Sequence, residues 1–510
     1  MKPLMNIRGM TRRMLVLLCL LAIGTQGCAQ EGRSQQPGQS FVPLKTAVKT
    51  DALIARLETF IPQLMAEGVV PGLSIVLIRE GKVFWQRGFG VKSTQTKEPV
   101  DESTVFEAAS LSKPVFAYGV LKLVDDGKLN LDTPLTKYLP GAYVQGDARL
   151  NRITARMVLS HTTGFPNWRP RGGALKIHFT PGERFSYSGE GFVYLQKVVE
   201  RLTGTGLDEF MQKTVFGPLG MQSSSYVWRA DYEARKVFGH DPFGSVTGRR
   251  KPSEANAAAS LHTTPQDYAK FVIAVMKGTG LKVETARLML TERIKVREGC
   301  QDCISNPSTG GLSATVGWGL GWGLQTTPDG ESFWHWGDSN NDAQAYVVGF
   351  PKQGLALAVF TNSGNGHSII PLLINEALGG RQPAIAWLNY DPYNSPLRTL
   401  VKDILTRGGA AIAEYRERRK TAPPSARLNE AQVNRVGYAL LSKKMIDEAI
   451  EILKLNVEDF PRSWNVYDSL AEAYMLKGEN RLAIENYRKS IELNPDNAGG
   501  KEALKKLQGN

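Results

Sequence analysis

The sequence predicts an α+β domain followed by an all-α tail. Two observations carry this. Residues 51–68 place Leu53, Ile54, Leu57, Phe60, Ile61 and Leu64 at helical spacing, broken only by Pro62, and two strand-like runs follow, 73–78 and 82–89, joined at Glu80-Gly81. Toward the C-terminus the chain repeats with a period of 34: Ala449-Ile450 returns as Ala483-Ile484, and Pro461 as Pro495. At 510 residues, 42% apolar and 22% charged, the chain is long enough for two or three domains, and neither wholesale disorder nor a multi-span membrane protein fits. The net charge is +13, yet no Lys/Arg-rich block stands out beyond 416–420, so no nucleic-acid partner is read from it.

The N-terminus reads as an export signal. Lys2, Arg8, Arg12 and Arg13 precede the apolar run 14–23. That run is too short to span a bilayer, which takes about twenty residues. It ends in Gly24-Thr25-Gln26-Gly27-Cys28, which resembles a bacterial lipoprotein signal. Lipidation of Cys28 is therefore expected, with the mature chain anchored to a membrane of the cell envelope and facing the periplasm or exterior. Residues 1–27 are the signal and 28–50 a tether, rich in Gln, Gly, Ser and Pro over 29–39. With Cys19 in the removed segment, Cys300 and Cys303 remain, as a local loop disulfide or as two free thiols.

The chemistry lies in the middle. A helix expected over 109–124 opens with Ser110-Leu111-Ser112-Lys113, the only Ser-x-x-Lys in the chain. Residues i and i+3 share a helix face, so Lys113 sits beside the Ser110 hydroxyl. An amine in a partly dry pocket gives up its proton more easily and can act as a base. Phe185-Ser186-Tyr187-Ser188-Gly189 follows a turn at Pro181-Gly182-Glu183, and Trp334-His335-Trp336-Gly337-Asp338 precedes a strand expected over 343–348. No His-Glu-x-x-His pattern suggests a metal hydrolase, and no Gly-x-Ser-x-Gly suggests a nucleophile elbow. His178, His240, His262 and His367 are expected in loops without metal spacing, and His161 is expected to position its loop. Trp318, Trp322, Trp334 and Trp336 are expected in the core or as cleft wall.

The ordered series Ser-x-x-Lys, Tyr-Ser-x, His-x-Gly resembles the serine β-lactamase and penicillin-binding family, in particular its branch of class C β-lactamases, D,D-carboxypeptidases and related esterases. Leu159-Ser160-His161-Thr162-Thr163-Gly164-Phe165-Pro166 and Asp125-Asp126-Gly127-Lys128-Leu129 are similar to family phrases as well, and the resemblance covers residues 53–378. It implies an antiparallel sheet flanked by helices, with a helical subdomain, over 51–385. It also implies Ser110 as the acylated nucleophile, Lys113 and Tyr187 as partners in proton transfer, and His335 and Gly337 on an edge strand. The oxyanion hole would be the backbone N–H groups of Ser110 and Asp338, with Gly337 bare so as not to crowd the substrate. No cofactor is implied. Two departures stand out. The Tyr-x-Asn triplet of the family ends here in Gly189, so the amide that holds β-lactam and peptide side chains is missing. His335 replaces a permanent cation, so recognition of a substrate carboxylate should weaken as pH rises.

The tail, from about 429 to 494, resembles tetratricopeptide repeats. The second unit carries Tyr467, Leu470, Ala471, Tyr474, Ala483, Tyr487 and Pro495, and the first Val436, Gly437, Leu440, Ala449, Leu453 and Pro461. A capping helix is expected at 501–507, and 429–510 forms the repeat domain. Two units are fewer than usually stand alone, so the helical stretch 396–420, within a linker at 386–428 that ends near Thr421-Ala422-Pro423-Pro424, is expected to support them. The sequence thus reads as an exported serine acyl hydrolase acting on an ester, a D-amino-acid peptide or a β-lactam. Its repeats either bind a small peptide or protein partner or pack on the hydrolase. The alternative is a catalytically weak envelope binding module that presents those repeats.

Overall fold

The helix Thr50–Gly68 runs through Pro62 and buries Leu53, Leu57, Ile61 and Leu64 along one side. The computed structural model describes residues 42–508 except 47–48, 142, 170–172, 305–307, 309, 340–341 and 424–426. The signal segment with Cys28, the tether before residue 42 and Pro424 lie outside the described residues.

Twelve strands are seen among the described residues. They are β1 (Gly72–Arg79), β2 (Lys82–Gly90), β3 (Phe106–Glu107), β4 (Gly239–His240), β5 (Val246–Gly248), β6 (His262–Thr263), β7 (Ile294–Arg297), β8 (Leu312–Trp318), β9 (Gly323–Thr327), β10 (Gly330–Asp338), β11 (Gln344–Phe350) and β12 (Leu355–Thr361). Eight form one sheet in the order β2-β1-β12-β11-β10-β9-β8-β7, antiparallel throughout. β1, β11 and β12 are almost wholly buried because helices cover both faces. Leu73, Ile75 and Leu77 join the core under Thr50–Gly68 and Gly366–Ala377. Val76 and Ile78 face the opposite core, which holds Phe116 and Val120 of the helix Ser112–Asp125 and Phe271 of Pro265–Lys277.

The expected strand at 343–348 is β11. β10, however, is no edge strand. It pairs with β11 on one side along 333–338 and with β9 on the other, but only as far as Trp334↔Gly323. Residues 335–338 overhang the end of β9, and this overhang alone is an edge. Short neighbours, not sheet order, leave it open.

The tail forms helices Glu430–Ser442, Ile446–Asp459, Trp464–Lys477, Asn480–Leu493 and Ala498–Leu507. Gly437 permits close packing, since a Cβ there would meet Leu453 Cδ2 at 2.6 Å. Helices Pro396–Arg407 and Gly409–Thr421 give Leu400, Ile404, Ile412 and Tyr415 to the same core as Val436, Leu440, Leu453 and Leu470. The helical stretch 396–420 thus supports the repeats as expected, as a further helical pair sharing their core. Cutting the chain near residue 424 would expose that apolar face; a cut before Pro396 would not. The array also packs against residues that precede it. Lys443 Nζ reaches Asp241 Oδ2 at 2.7 Å and lies 4.8 Å from the centre of the Phe243 ring, and Arg435 faces Asp391 at 3.7 Å.

Candidate active site

β3 feeds directly into a single 3₁₀ turn, Ala109–Leu111, before the helix Ser112–Asp125 starts. Ala109 is held at φ +45°, a left-handed conformation that a residue with a β-carbon adopts at a cost of about 1–3 kcal/mol. Ser110 follows it and is half-buried at the junction of turn and helix. Lys113, on the first helical turn, donates from Nζ to Ser110 Oγ at 3.0 Å and to the Ala258 carbonyl at 2.8 Å. Its side chain is 0% exposed. Burial pulls its pKa well below the ordinary lysine value.

Tyr187 closes the group from the opposite side, with its ring centre 4.7 Å from Lys113 Nζ. Burial pushes the phenol pKa up, and Ser110 offsets this in part. Among the described residues the hydroxyl makes no well-formed hydrogen bond, so the link to Ser110 is loose. His161 fixes this loop. Its Nδ1 accepts the Ser188 N–H at 3.0 Å, its carbonyl accepts the Ser186 N–H at 2.9 Å, and its ring stacks on Tyr187 at 4.3 Å. The loop is backed by a disulfide, Cys300–Cys303. The Gln301 carbonyl accepts the Tyr187 N–H at 2.9 Å, and Ser186 Oγ accepts the Cys303 N–H at 3.1 Å.

The β10 overhang lies against the nucleophile turn. A Cβ on Gly337 would fall inside contact distance of the Ala108 carbonyl oxygen. Gly337 must be bare because backbone meets backbone there. The Asp338 carboxylate accepts from Gln344 Nε2 at 2.9 Å and from Tyr390 Oη at 3.4 Å. His335 also differs from expectation. It is fully buried among Tyr187, Trp318 and Trp336, with Nδ1 2.7 Å from the Trp336 carbonyl. Burial, then the nearby Lys113, pushes its pKa down to about 3, so it is neutral at ordinary pH and offers a substrate carboxylate no charge. Trp318, Trp322 and Trp334 are core, and Trp336 packs 4.7 Å from the Tyr187 ring. His240 and His262 lie on short strands and His367 begins a helix, where loops were expected. Among the described residues no group of three or more His, Cys, Asp or Glu is arranged to hold a metal.

Glu107 escaped the sequence reading. It is buried three residues before Ser110, yet Ser339, one residue past Asp338, donates Oγ to its Oε1 at 2.7 Å. Arg250 and Lys236 face it at 3.1 and 3.6 Å. Burial alone would raise its pKa, but Lys236, His262, Ser339 and Arg250 together hold it below the usual carboxylate value. It thus ties the strand leading to Ser110 to the end of the β10 overhang. The only signal in the sequence is a lone acid in the apolar run Val105-Phe106-Glu107-Ala108-Ala109.

Residues 57–374, more than half of the chain, match the β-lactamase family. The chain belongs to that family. Residues 465–497 match the tetratricopeptide repeat. Protein flp of Staphylococcus aureus is 24% identical over 342 residues, 62% of this chain and 64% of that protein, so the match spans less than two thirds of its length. Penicillin-binding protein 4 of Amycolatopsis lactamdurans is 28% identical over 342 residues, 62% of this chain and 87% of that protein. Among solved structures, the octameric penicillin-binding protein homologue from Pyrococcus abyssi superposes with a TM-score of 0.53 at 24% identity, covering 69% of this chain and 82% of its own. D-alanine carboxypeptidase AmpC from Burkholderia cenocepacia gives 0.52 at 20%, covering 62% and 95%. These superpositions show a shared fold, with its antiparallel sheet and flanking helices. At family level the β-lactamase match supports a serine acyl hydrolase.

The buried neutral histidines of this β-lactamase-family site carry a stability signature. His335 has a pKa of about 3 and His262 of about 4, both depressed by burial. An unfolded histidine titrates near 6.5. Below that pH the unfolded chain takes up protons that the folded chain refuses, so stability falls as pH drops from about 6.5 toward 4. The linked loss is on the order of 1–2 kcal/mol per histidine by pH 5. Urea titrations should therefore show a clearly lower midpoint at pH 5 than at pH 7. Equal midpoints would mean these side chains are not buried neutral.

Proposed function

We propose that the protein is an exported serine acyl hydrolase that forms an acyl-enzyme on Ser110 and prefers ester substrates. The observation that carries this is the 3.0 Å contact between a fully buried Lys113 amine and Ser110 Oγ. Burial lowers Lys113 and raises Tyr187, which divides the labour between them. The neutral amine accepts the Ser110 proton as Oγ attacks the acyl carbon. The tetrahedral oxyanion takes hydrogen bonds from the backbone N–H groups of Ser110 and Asp338. As the intermediate collapses, the leaving alkoxide takes a proton from Tyr187, which is replenished from the Lys113 ammonium. Water then attacks the ester on Ser110, its proton passes back through the same pair, and the free acid leaves with Ser110 restored.

Three features favour esters without a carboxylate. His335 is neutral, the Asp338 carboxylate stands at the overhang, and Gly189 offers no amide. Export and lipidation at Cys28 rest on the N-terminal segment alone. The repeats serve docking, with no part in the chemistry. Turnover should follow the order p-nitrophenyl acetate, then a D-alanyl-D-alanine peptide, then nitrocefin. Nitrocefin turnover at k_cat/K_M of about 10⁶ M⁻¹s⁻¹ or more, well inside the range of good enzymes, would refute the ester reading.

A further inference from the structure

Trp168 is 46% exposed, whereas the Tyr187, Trp318, Trp334 and Trp336 rings of the site are buried. Its backbone is pinned on both sides to the first turn of the helix Gly189–Thr203. The Asn167 carbonyl accepts the N–H groups of Gly189 at 3.0 Å and Glu190 at 3.1 Å, and Asn167 Oδ1 accepts the Gly189 N–H at 3.0 Å. The Arg169 N–H donates to Glu190 Oε1 at 3.0 Å, and its guanidinium adds bonds of 3.0 and 2.6 Å to Oε1 and Oε2. The indole edge lies on Gly189, where a Cβ would meet Trp168 Cη2 at 2.8 Å and Cζ2 at 2.9 Å. Gly189 is two residues past Tyr187, at the place where the family triplet puts an Asn side chain. In this chain the ring occupies that space.

We infer that Trp168 is the platform for the acyl group, and that the natural substrates are esters of apolar or aromatic acids. This rests on the hydrolase reading above. A flat, half-open indole gains by being covered with apolar atoms. It offers a single N–H and no acceptor, so it cannot replace the two-way hydrogen bonding of an amide side chain. Because the neighbouring backbone is already tied down, little ordering cost accompanies binding.

The test is a chain-length series of p-nitrophenyl esters on the full chain. Each methylene laid on the half-open ring should raise kcat/KM by about 2-fold, so the hexanoate-to-acetate ratio should be about 16 for the wild type. In Trp168→Ala this ratio should collapse to about 2 or below, and in Trp168→Phe most of it should survive. Phenylacetate should follow hexanoate in all three. A wild-type ratio near 1, or an unchanged ratio in Trp168→Ala, overturns the proposal while leaving the hydrolase reading in place. If the wild type hydrolyses no ester and Ser110 takes no fluorophosphonate label, both fall together.

Discussion

Replacing Lys113 with Met should lower acylation of Ser110 by about 10³-fold, within the range of about 10²–10⁴ that a positioned base contributes. Among the described residues the amine has two hydrogen-bond partners, Ser110 Oγ and the Ala258 carbonyl, and no carboxylate pairs with it. An unpaired ammonium in a dry site is unstable, so the resting form shifts toward the neutral amine. That form can accept a proton, and methionine cannot. Lys113→Arg is the sharper control. It keeps a permanent charge but cannot deprotonate in a protein, so it should be as poor as Met. The pH profile should agree. Wild-type k_cat/K_M should rise with pH through a pKa well below the usual lysine value, and this limb should vanish in both variants. Substantial activity in the Arg variant would show that Lys113 acts only as a cation.

Gly337→Ala should have the second-largest effect, for a reason confined to the backbone. The added methyl would run into the Ala108 carbonyl oxygen, which belongs to the rigid turn before Ser110 and cannot rotate away. Either the overhang or the turn must shift, and each carries one of the proposed oxyanion donors. Losing one such donor costs about 10²–10³-fold in k_cat. We expect that fall, with a much smaller change in K_M and a parallel loss of affinity for a phenylboronic acid, whose tetrahedral adduct places an oxygen in the same hole. Overpacking should also lower stability by about 1–3 kcal/mol. A wild-type k_cat in Gly337→Ala would mean that the overhang does not form the oxyanion hole.

Local pattern made part of this legible. Ser110 and Lys113 are three residues apart, so their contact follows from helix geometry, and the repeat period exposed Gly437, Ala449 and Ala483 as packing positions. Tyr187 and the His335–Asp338 segment were found by their order along the chain. What stayed hidden depends on residues distant in sequence. Glu107 meets Ser339 across 232 positions. The contact that keeps Gly337 bare depends on where Ala108 lies. The overhang of β10 exists because β9 stops at Gly323, a matter of register rather than composition. His335 looked like a titratable cation until the tryptophans around it were placed. That the helices at 396–421 support the repeats was legible from the shortage of units, but which residues do so was not, because their apolar partners lie further along the chain.

The central claim is that Ser110 forms the covalent intermediate, and intact-mass analysis after reaction with a fluorophosphonate tests it most directly. Ser339 is the rival hydroxyl near the overhang, but it is buried and already bonded to Glu107. The wild type should gain one adduct, peptide mapping should place it on Ser110, and Ser110→Ala should gain none while losing several orders of magnitude in ester turnover. An adduct that persists in Ser110→Ala, or that maps to Ser339, would contradict the account.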